Sequence, residues 1–154
     1  MEPTVLRGRR WLVAGVAVLL VLIVATRLAT VFLAVNGGDD LPEQIIADVI
    51  AAAVVLGVAF SGDRYVRWIG VILFATWGLF SLYITARTGD LVFFTLRGIR
   101  FLLSQSPLVP VLGGLNGVAC LGFAVLLVAS PSVKRYLATL HAPWGKRSVA
   151  PPAA

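Results

Sequence analysis

The chain has 154 residues, of which 59% are hydrophobic and 13% are charged, whereas soluble domains are about half apolar and about a quarter charged. This composition excludes an ordinary water-soluble fold and indicates a single membrane domain. The net charge of +6 would suggest nucleic acid binding in a soluble protein, but the basic residues stand at the ends of apolar runs, so we expect contacts with anionic lipids and none with nucleic acid.

The first apolar run covers residues 11–35 and is long enough to cross a bilayer with some tilt. It is too long for the apolar part of a secretory signal, so we expect it to be retained as the first span. Arg27 is the one charged residue inside it and costs about 2.5 to 3.5 kcal/mol at a helix centre. The many Leu, Ile, Val and Phe residues of the run, each favourable by about 0.3 to 0.6 kcal/mol, outweigh that cost.

The second span is predicted over residues 41–60. Asp40 suits the position before the first helical turn, Glu43 stands three residues later, and Pro42 fits the turn itself. The span is rich in small residues, which allow neighbouring helices to approach closely, and we therefore expect this helix to be the most enclosed one. The small residues are Ala47, Ala51, Ala52, Ala53, Gly57 and Ala59.

The third span is predicted over residues 67–86, with Arg67 and Trp68 anchoring its start at the membrane interface. The following residues 91–105 contain Arg97 and Arg100, which together cost about 5 to 7 kcal/mol in a span, against about 4 kcal/mol gained from its apolar residues. We therefore expect this segment not to insert. At 100° per residue both arginines share one face with Ser104, which predicts an amphipathic helix lying in the interface.

The fourth span is predicted over residues 108–129, where Gly113 and Gly117, with Gly114 and Gly122 beside them, favour close packing against another helix. A short interfacial helix over residues 132–140 and a disordered tail over residues 143–154 follow. The predicted fold is an all-α membrane protein with one transmembrane domain over residues 1–142. It is a four-transmembrane-helix bundle with an amphipathic interfacial helix between spans three and four.

Orientation follows from the distribution of positive charge. The N-terminus, the loop after span two and the C-terminal region hold three, two and four of the 13 Lys and Arg residues, and the opposite side holds three. Both termini are therefore expected on the cytoplasmic side. The excess of Arg over Lys and the abundance of Ala, Gly and Val suggest a bacterial protein of the plasma (inner) membrane.

Arg27 and Asp48 are the two charged side chains well inside the predicted spans. Both lie about 10 to 14 Å below the outer end of an antiparallel pair of helices, so they can meet. A structural ion pair is the interpretation we favour, and a transport or proton-relay site is the alternative. Thr76, Ser81 and Asn116 either line a polar path or, as we favour, form hydrogen bonds between helices.

The sequence lacks the residues that disulfides, metal and haem sites and catalytic triads require. The chain has one cysteine and one histidine, which leaves no disulfide, no zinc or haem ligand set and no catalytic triad, so we expect no cofactor and no enzyme activity. The leading hypothesis is a non-catalytic accessory, regulatory or assembly subunit that contacts a membrane-protein partner or further copies of itself. The alternatives are a small oligomeric channel or transporter that uses Arg27 and Asp48 and, third, an intramembrane enzyme.

Overall fold

A computed structural model describes residues 3–33, 41–61, 63–95, 98–102 and 106–140. The described residues form five helices and one β-hairpin. In chain order these are α1 (Pro3–Leu33), α2 (Leu41–Phe60), α3 (Arg64–Thr88), β1 (Leu91–Thr95), β2 (Gly98–Leu102), α4 (Leu108–Ala129) and α5 (Pro131–Leu140). The tail predicted over residues 143–154 lies outside the described residues.

Helices α1 to α4 are long and apolar enough to cross a membrane, which confirms the prediction of four such helices. Two of them begin earlier than predicted, α1 at Pro3 and α3 at Arg64. The early start of α3 has a local cause, because the Asp63 side chain accepts a hydrogen bond of 2.6 Å from the backbone N–H of Tyr65 and so caps the first turn. The other end of α3 closes at Gly89, whose φ of 74° suits a residue without a side chain.

The four long helices run alternately up and down. We call the end where α2 and α4 begin the hairpin end, because β1 and β2 lie there, and the opposite end the α5 end. The core lies between α1, α3 and α4, where Leu12, Val16 and Leu19 of α1 are buried. Phe74 of α3 meets Phe123 of α4 edge to face, with ring centroids 5.1 Å apart. Helix α2 packs mainly against α1 and touches α3 only lightly.

The most extensive contact between two helices lies between α3 and α4. A Cβ atom at Gly117 would come within 2.5 Å of Leu82 Cγ and 3.0 Å of the backbone oxygen of Gly78, so this crossing requires glycine. Gly114 and Gly122 face open space instead. The expectation that α2 is the most enclosed helix is wrong, because α4 has the larger buried share.

The segment between α3 and α4 corrects the prediction of an interfacial helix over residues 91–105. Strands β1 and β2 pair antiparallel, with Leu91 opposite Leu102 and Thr95 opposite Gly98. The segment is rich in β-branched and aromatic residues, which favour strands, and Gly98 disfavours a helix. Leu91 and Val92 point to opposite faces of the strand and are both fully buried, so β1 is inserted between α2, α3 and α4.

Helix α5 folds back against the first turns of α1. Its buried residues Val133, Tyr136 and Leu137 belong to the same core as the long helices, whereas Lys134 and Arg135 are exposed. The short helix predicted over residues 132–140 is present as α5, and one of its faces packs against α1.

Candidate intramembrane polar site

The centre of the candidate site is an ion pair that joins α1 to α2. Arg27 Nε donates to Asp48 Oδ2 at 2.6 Å, and Arg27 Nη2 donates to Asp48 Oδ1 at 2.8 Å. The two parallel hydrogen bonds match the fork of the guanidinium to the carboxylate, which is the strongest geometry for this pair. The side chains are 12% and 27% exposed, so the pair is largely withdrawn from the surface.

The remaining donors of Arg27 are taken by neighbouring polar groups. Nη2 also donates to the backbone oxygen of Gln44 at 3.0 Å, and Nη1 donates to Gln44 Oε1 and, at 3.4 Å, to Thr30 Oγ1. The Thr30 hydroxyl in turn donates to the backbone oxygen of Arg27 at 2.8 Å. All three guanidinium nitrogens are therefore engaged, and we call Arg27, Thr30, Gln44 and Asp48 the Arg27 cluster.

Sequence reasoning identified Arg27 and Asp48 but missed Gln44 and Thr30. A signal was present, because Gln44 precedes Asp48 by four residues and Thr30 follows Arg27 by three. Residues three or four apart lie on the same face of a helix. Reading these spacings around each intramembrane charge would have found both partners.

A cleft of about 420 Å³ lies beside the Arg27 cluster, and Asp48 belongs to both. It is bounded by α1, α2, α3 and α4, and Val92 of β1 closes part of it. Most of its lining is apolar or aromatic, including Phe74 and Trp77. The polar members of the lining are Thr26, Asp48, Asn116 and Cys120.

The exposed part of the cleft lining belongs to α2 and α3, from which we infer that the cleft opens sideways between these two helices. Ile50 and Val54 of α2 and Leu73 of α3 line it and are also exposed on the outside of the bundle, at 51%, 38% and 47%. These two helices touch only lightly. In a bilayer this opening faces the lipid chains.

The predicted polar path does not form as one path. Asn116 lines the cleft, but Thr76 is exposed on the outer face of α3, and the buried Ser81 hydroxyl donates to the backbone oxygen of Gly113 at 3.1 Å. Ser81 thus makes a hydrogen bond between α3 and α4. Arg100 lies in β2, and Arg97 lies outside the described residues.

Thiol and metal chemistry find little support in the described part of the chain. Cys120 is buried, and its sulfur lies 3.9 Å from Asn116 Oδ1. No group of three or more His, Cys, Asp or Glu side chains that can hold a metal ion occurs among the described residues. The arrangement therefore offers an ion pair and hydrogen-bonding groups beside an apolar cleft.

Comparisons of the chain with protein-family models, with curated proteins and with solved structures found no match.

Proposed function

We propose that this protein is a non-catalytic integral membrane subunit that acts through contacts, as an accessory, regulatory or assembly component. The observation that carries the proposal is the full engagement of Arg27, whose three guanidinium nitrogens donate to Asp48, Gln44 and Thr30. A side chain held by partners on two helices is suited to fixing the position of α2 against α1. It is poorly suited to binding and releasing an ion.

The alternative of a channel or transporter requires that the pair open during each cycle. Breaking a buried pair by removing one partner costs about 3 to 5 kcal/mol, so an opened Arg27 would need a substrate that replaces most of its hydrogen bonds. Among the described residues, Asn116 is the one predicted path residue that lines the cleft beside it. We therefore place this alternative second.

The orientation proposed with this function has both termini on the cytoplasmic side of a bacterial plasma membrane. The start of α1, the start of α3 and helix α5 all lie at the α5 end. Of the seven cations exposed among the described residues, Arg87 lies at the hairpin end and six lie at the α5 end, which are Arg7, Arg9, Arg10, Arg64, Lys134 and Arg135. Lys and Arg residues beside a membrane span are usually kept on the cytoplasmic side, where they also attract anionic lipids. Both tendencies support placing the α5 end in the cytoplasm.

Photocrosslinking in native membranes tests the contact role. A photoreactive residue at Thr76, on the exposed face of α3, is expected to give one reproducible crosslinked partner identified by mass spectrometry. The matched control is Phe123, which is buried against Phe74 outside the cleft lining and should crosslink only within the chain. Further exposed positions, Val49 and Ile72, extend the same scan.

Two results would count against the proposal. One is a scan in which every exposed position yields only lipid or this chain itself. The other is solute or proton flux in reconstituted vesicles that Arg27→Lys abolishes while the protein still folds, as judged by its circular dichroism and monodispersity.

A further inference from the structure

We propose that the cleft binds one neutral apolar chain that carries a hydroxyl group, such as a long-chain alcohol, which enters from the bilayer between α2 and α3. This ligand site is independent of the contact role proposed above. It rests on the volume of the cleft, its lateral opening and the polar atoms that line it.

The size and lining of the cleft suit a small apolar ligand. Its volume of about 420 Å³ lies within the range of about 300 to 1,000 Å³ that is usual for such sites. Ligand sites are mostly apolar and aromatic with a few polar groups that fix the orientation of the ligand. The cleft has this composition, with Phe74 and Trp77 on one wall and Ala47 and Ala51 on the other.

The polar groups lie at one level of the bundle. Thr26 precedes the end of α1 by seven residues, Asp48 follows the start of α2 by seven, and Asn116 follows the start of α4 by eight. At 1.5 Å per residue each is about 10 to 12 Å from the hairpin end. A ligand in the cleft therefore meets the polar side chains of α1, α2 and α4 at about the same depth in the bundle.

Two of these groups have hydrogen-bonding capacity that the described residues do not use. The Thr26 hydroxyl and the Asn116 amide nitrogen have no hydrogen-bond partner in the described part of the chain, although Asn116 Oδ1 lies near the Cys120 thiol. Asp48 accepts two hydrogen bonds from Arg27, while a carboxylate has about four acceptor positions. In a hydrocarbon environment such capacity is costly unless it is satisfied.

This combination selects a hydroxyl and disfavours a charge. Asn116 can donate, Asp48 can accept, and Thr26 can do both, so a group that both donates and accepts satisfies them best. The charges of Arg27 and Asp48 already neutralise each other, so a charged ligand at this depth would have no counter-ion. The acyl chain of an ordinary phospholipid brings no donor to this level.

Fluorescence of Trp77, which lines the cleft, tests the proposal directly. The chain has four tryptophans, and the variant W11F/W68F/W144F keeps only Trp77. It is titrated in phosphatidylcholine nanodiscs with dodecanol brominated at mid-chain and with the methyl ether of that compound. The control variant W11F/W77F/W144F keeps Trp68, which is 47% exposed on the outside of the bundle.

The alcohol is expected to quench Trp77 saturably and to saturate at about five- to tenfold lower concentration than the ether, since hydrogen bonds to otherwise unsatisfied groups give this range. Ala51→Phe, which fills the cleft, should abolish saturation, whereas Ala53→Phe on the exposed face of α2 should not. Asn116→Leu should remove most of the preference for the alcohol while the ether still binds.

Two results with the parent protein would overturn the proposal: equal saturation by alcohol and ether, and quenching that rises linearly and equally for Trp77 and Trp68. So would two results with the variants, which are unchanged saturation in Ala51→Phe and an unchanged preference in Asn116→Leu. A further contrary result would be efficient quenching of Trp77 by aqueous iodide. The last would show water in the cleft. Conversion of a dimer to a monomer by Ala51→Phe, without saturable quenching in the parent, would make a second copy the occupant and would equally reject the ligand.

Discussion

Arg27 and Asp48 form a two-pronged ion pair across the boundary of α1 and α2, with nitrogen to oxygen distances of 2.6 and 2.8 Å, although 21 residues separate them in the chain. The pair fixes the register of the two helices, because a shift of either by one turn would move the charges about 5.4 Å apart along the axis. It also leaves one face of Asp48 on the cleft. The same carboxylate thus belongs to the support of the bundle and to its candidate ligand site.

Removing both members of this pair should destabilise the fold by less than the sum of the two single losses. Arg27→Met or Asp48→Leu alone strands a charge at membrane depth and is expected to cost about 3 to 5 kcal/mol. The double variant Arg27→Met/Asp48→Leu should cost clearly less than the sum. Unfolding in mixed micelles with increasing dodecyl sulfate measures the difference, and additive losses would contradict a coupled pair.

Arg87→Gln is the matched control for those variants. Arg87 lies exposed in the last turn of α3, and its Nη1 is 3.4 Å from the Tyr83 hydroxyl. An exposed interaction of this kind contributes little, so we expect a change within about 0.5 kcal/mol.

Two glycines of α4 should respond differently to the same substitution, one with a loss of stability and one with almost no change. Gly117→Leu drives a side chain into Leu82 and the backbone of Gly78, and we expect a loss of about 1 to 3 kcal/mol or more from this overpacking. Gly114→Leu points into open space and should be nearly neutral. Thermal unfolding in detergent compares them, and equal destabilisation would mean that α3 and α4 do not cross at Gly117.

The β-hairpin can be distinguished from a helix by crosslinking in a Cys120→Ala background. Phe94 and Ile99 are paired across the strands, so their Cα atoms lie about 4.5 to 5.5 Å apart, within reach of a disulfide. In a helix the same residues are separated by about 7.5 Å along the axis. We therefore expect F94C/I99C to form a disulfide on mild oxidation, detected by the mass change on alkylation.

The pair F94C/G98C provides the opposing control. Residues four apart are neighbours on a helix surface, whereas Phe94 and Gly98 are not partners in the hairpin register. Faster oxidation of F94C/G98C than of F94C/I99C would restore the interfacial helix.

Membrane orientation should follow the basic α5 end. A green fluorescent protein fused after Ala154 is expected to be fluorescent, because this reporter is active in the cytoplasm. Alkaline phosphatase fused at the same place is expected to be inactive, because it is active only on the opposite side of the membrane. An active phosphatase fusion would overturn the cytoplasmic placement of the C-terminus. If the N-terminus is on the cytoplasmic side, it would also require an odd number of crossings.

The four long helices were predictable because their signal is local and one-dimensional. An apolar run of sufficient length interrupted by Gly, Pro and charged residues predicts a spanning helix wherever it occurs, independently of its neighbours. The meeting of Arg27 with Asp48 was also within reach, since a short turn between two spans places residues at equal depth side by side.

The hairpin was not predictable in the same way. The apolar residues of the 15-residue segment 91–105 are compatible with either a strand or a helix. The packing of β1 between α2, α3 and α4 decides for the strand. The prediction that α2 is the most enclosed helix failed for a similar reason. Small residues permit close packing, but Ala53 and Gly57 lie on a face of α2 that the described part of the bundle leaves exposed.

The sequence by itself determined the four long apolar helices and indicated that Arg27 and Asp48 can pair between two of them. Both are readable from the chain because a bilayer requires apolar runs of a minimum length and makes each charged residue inside such a run costly. Only the tertiary structure decided which groups surround Arg27, where the chain between α3 and α4 lies and that a cleft remains beside Asp48. Those features depend on how surfaces from distant parts of the chain fit together, and shape complementarity between helices is not encoded in the hydropathy of either one.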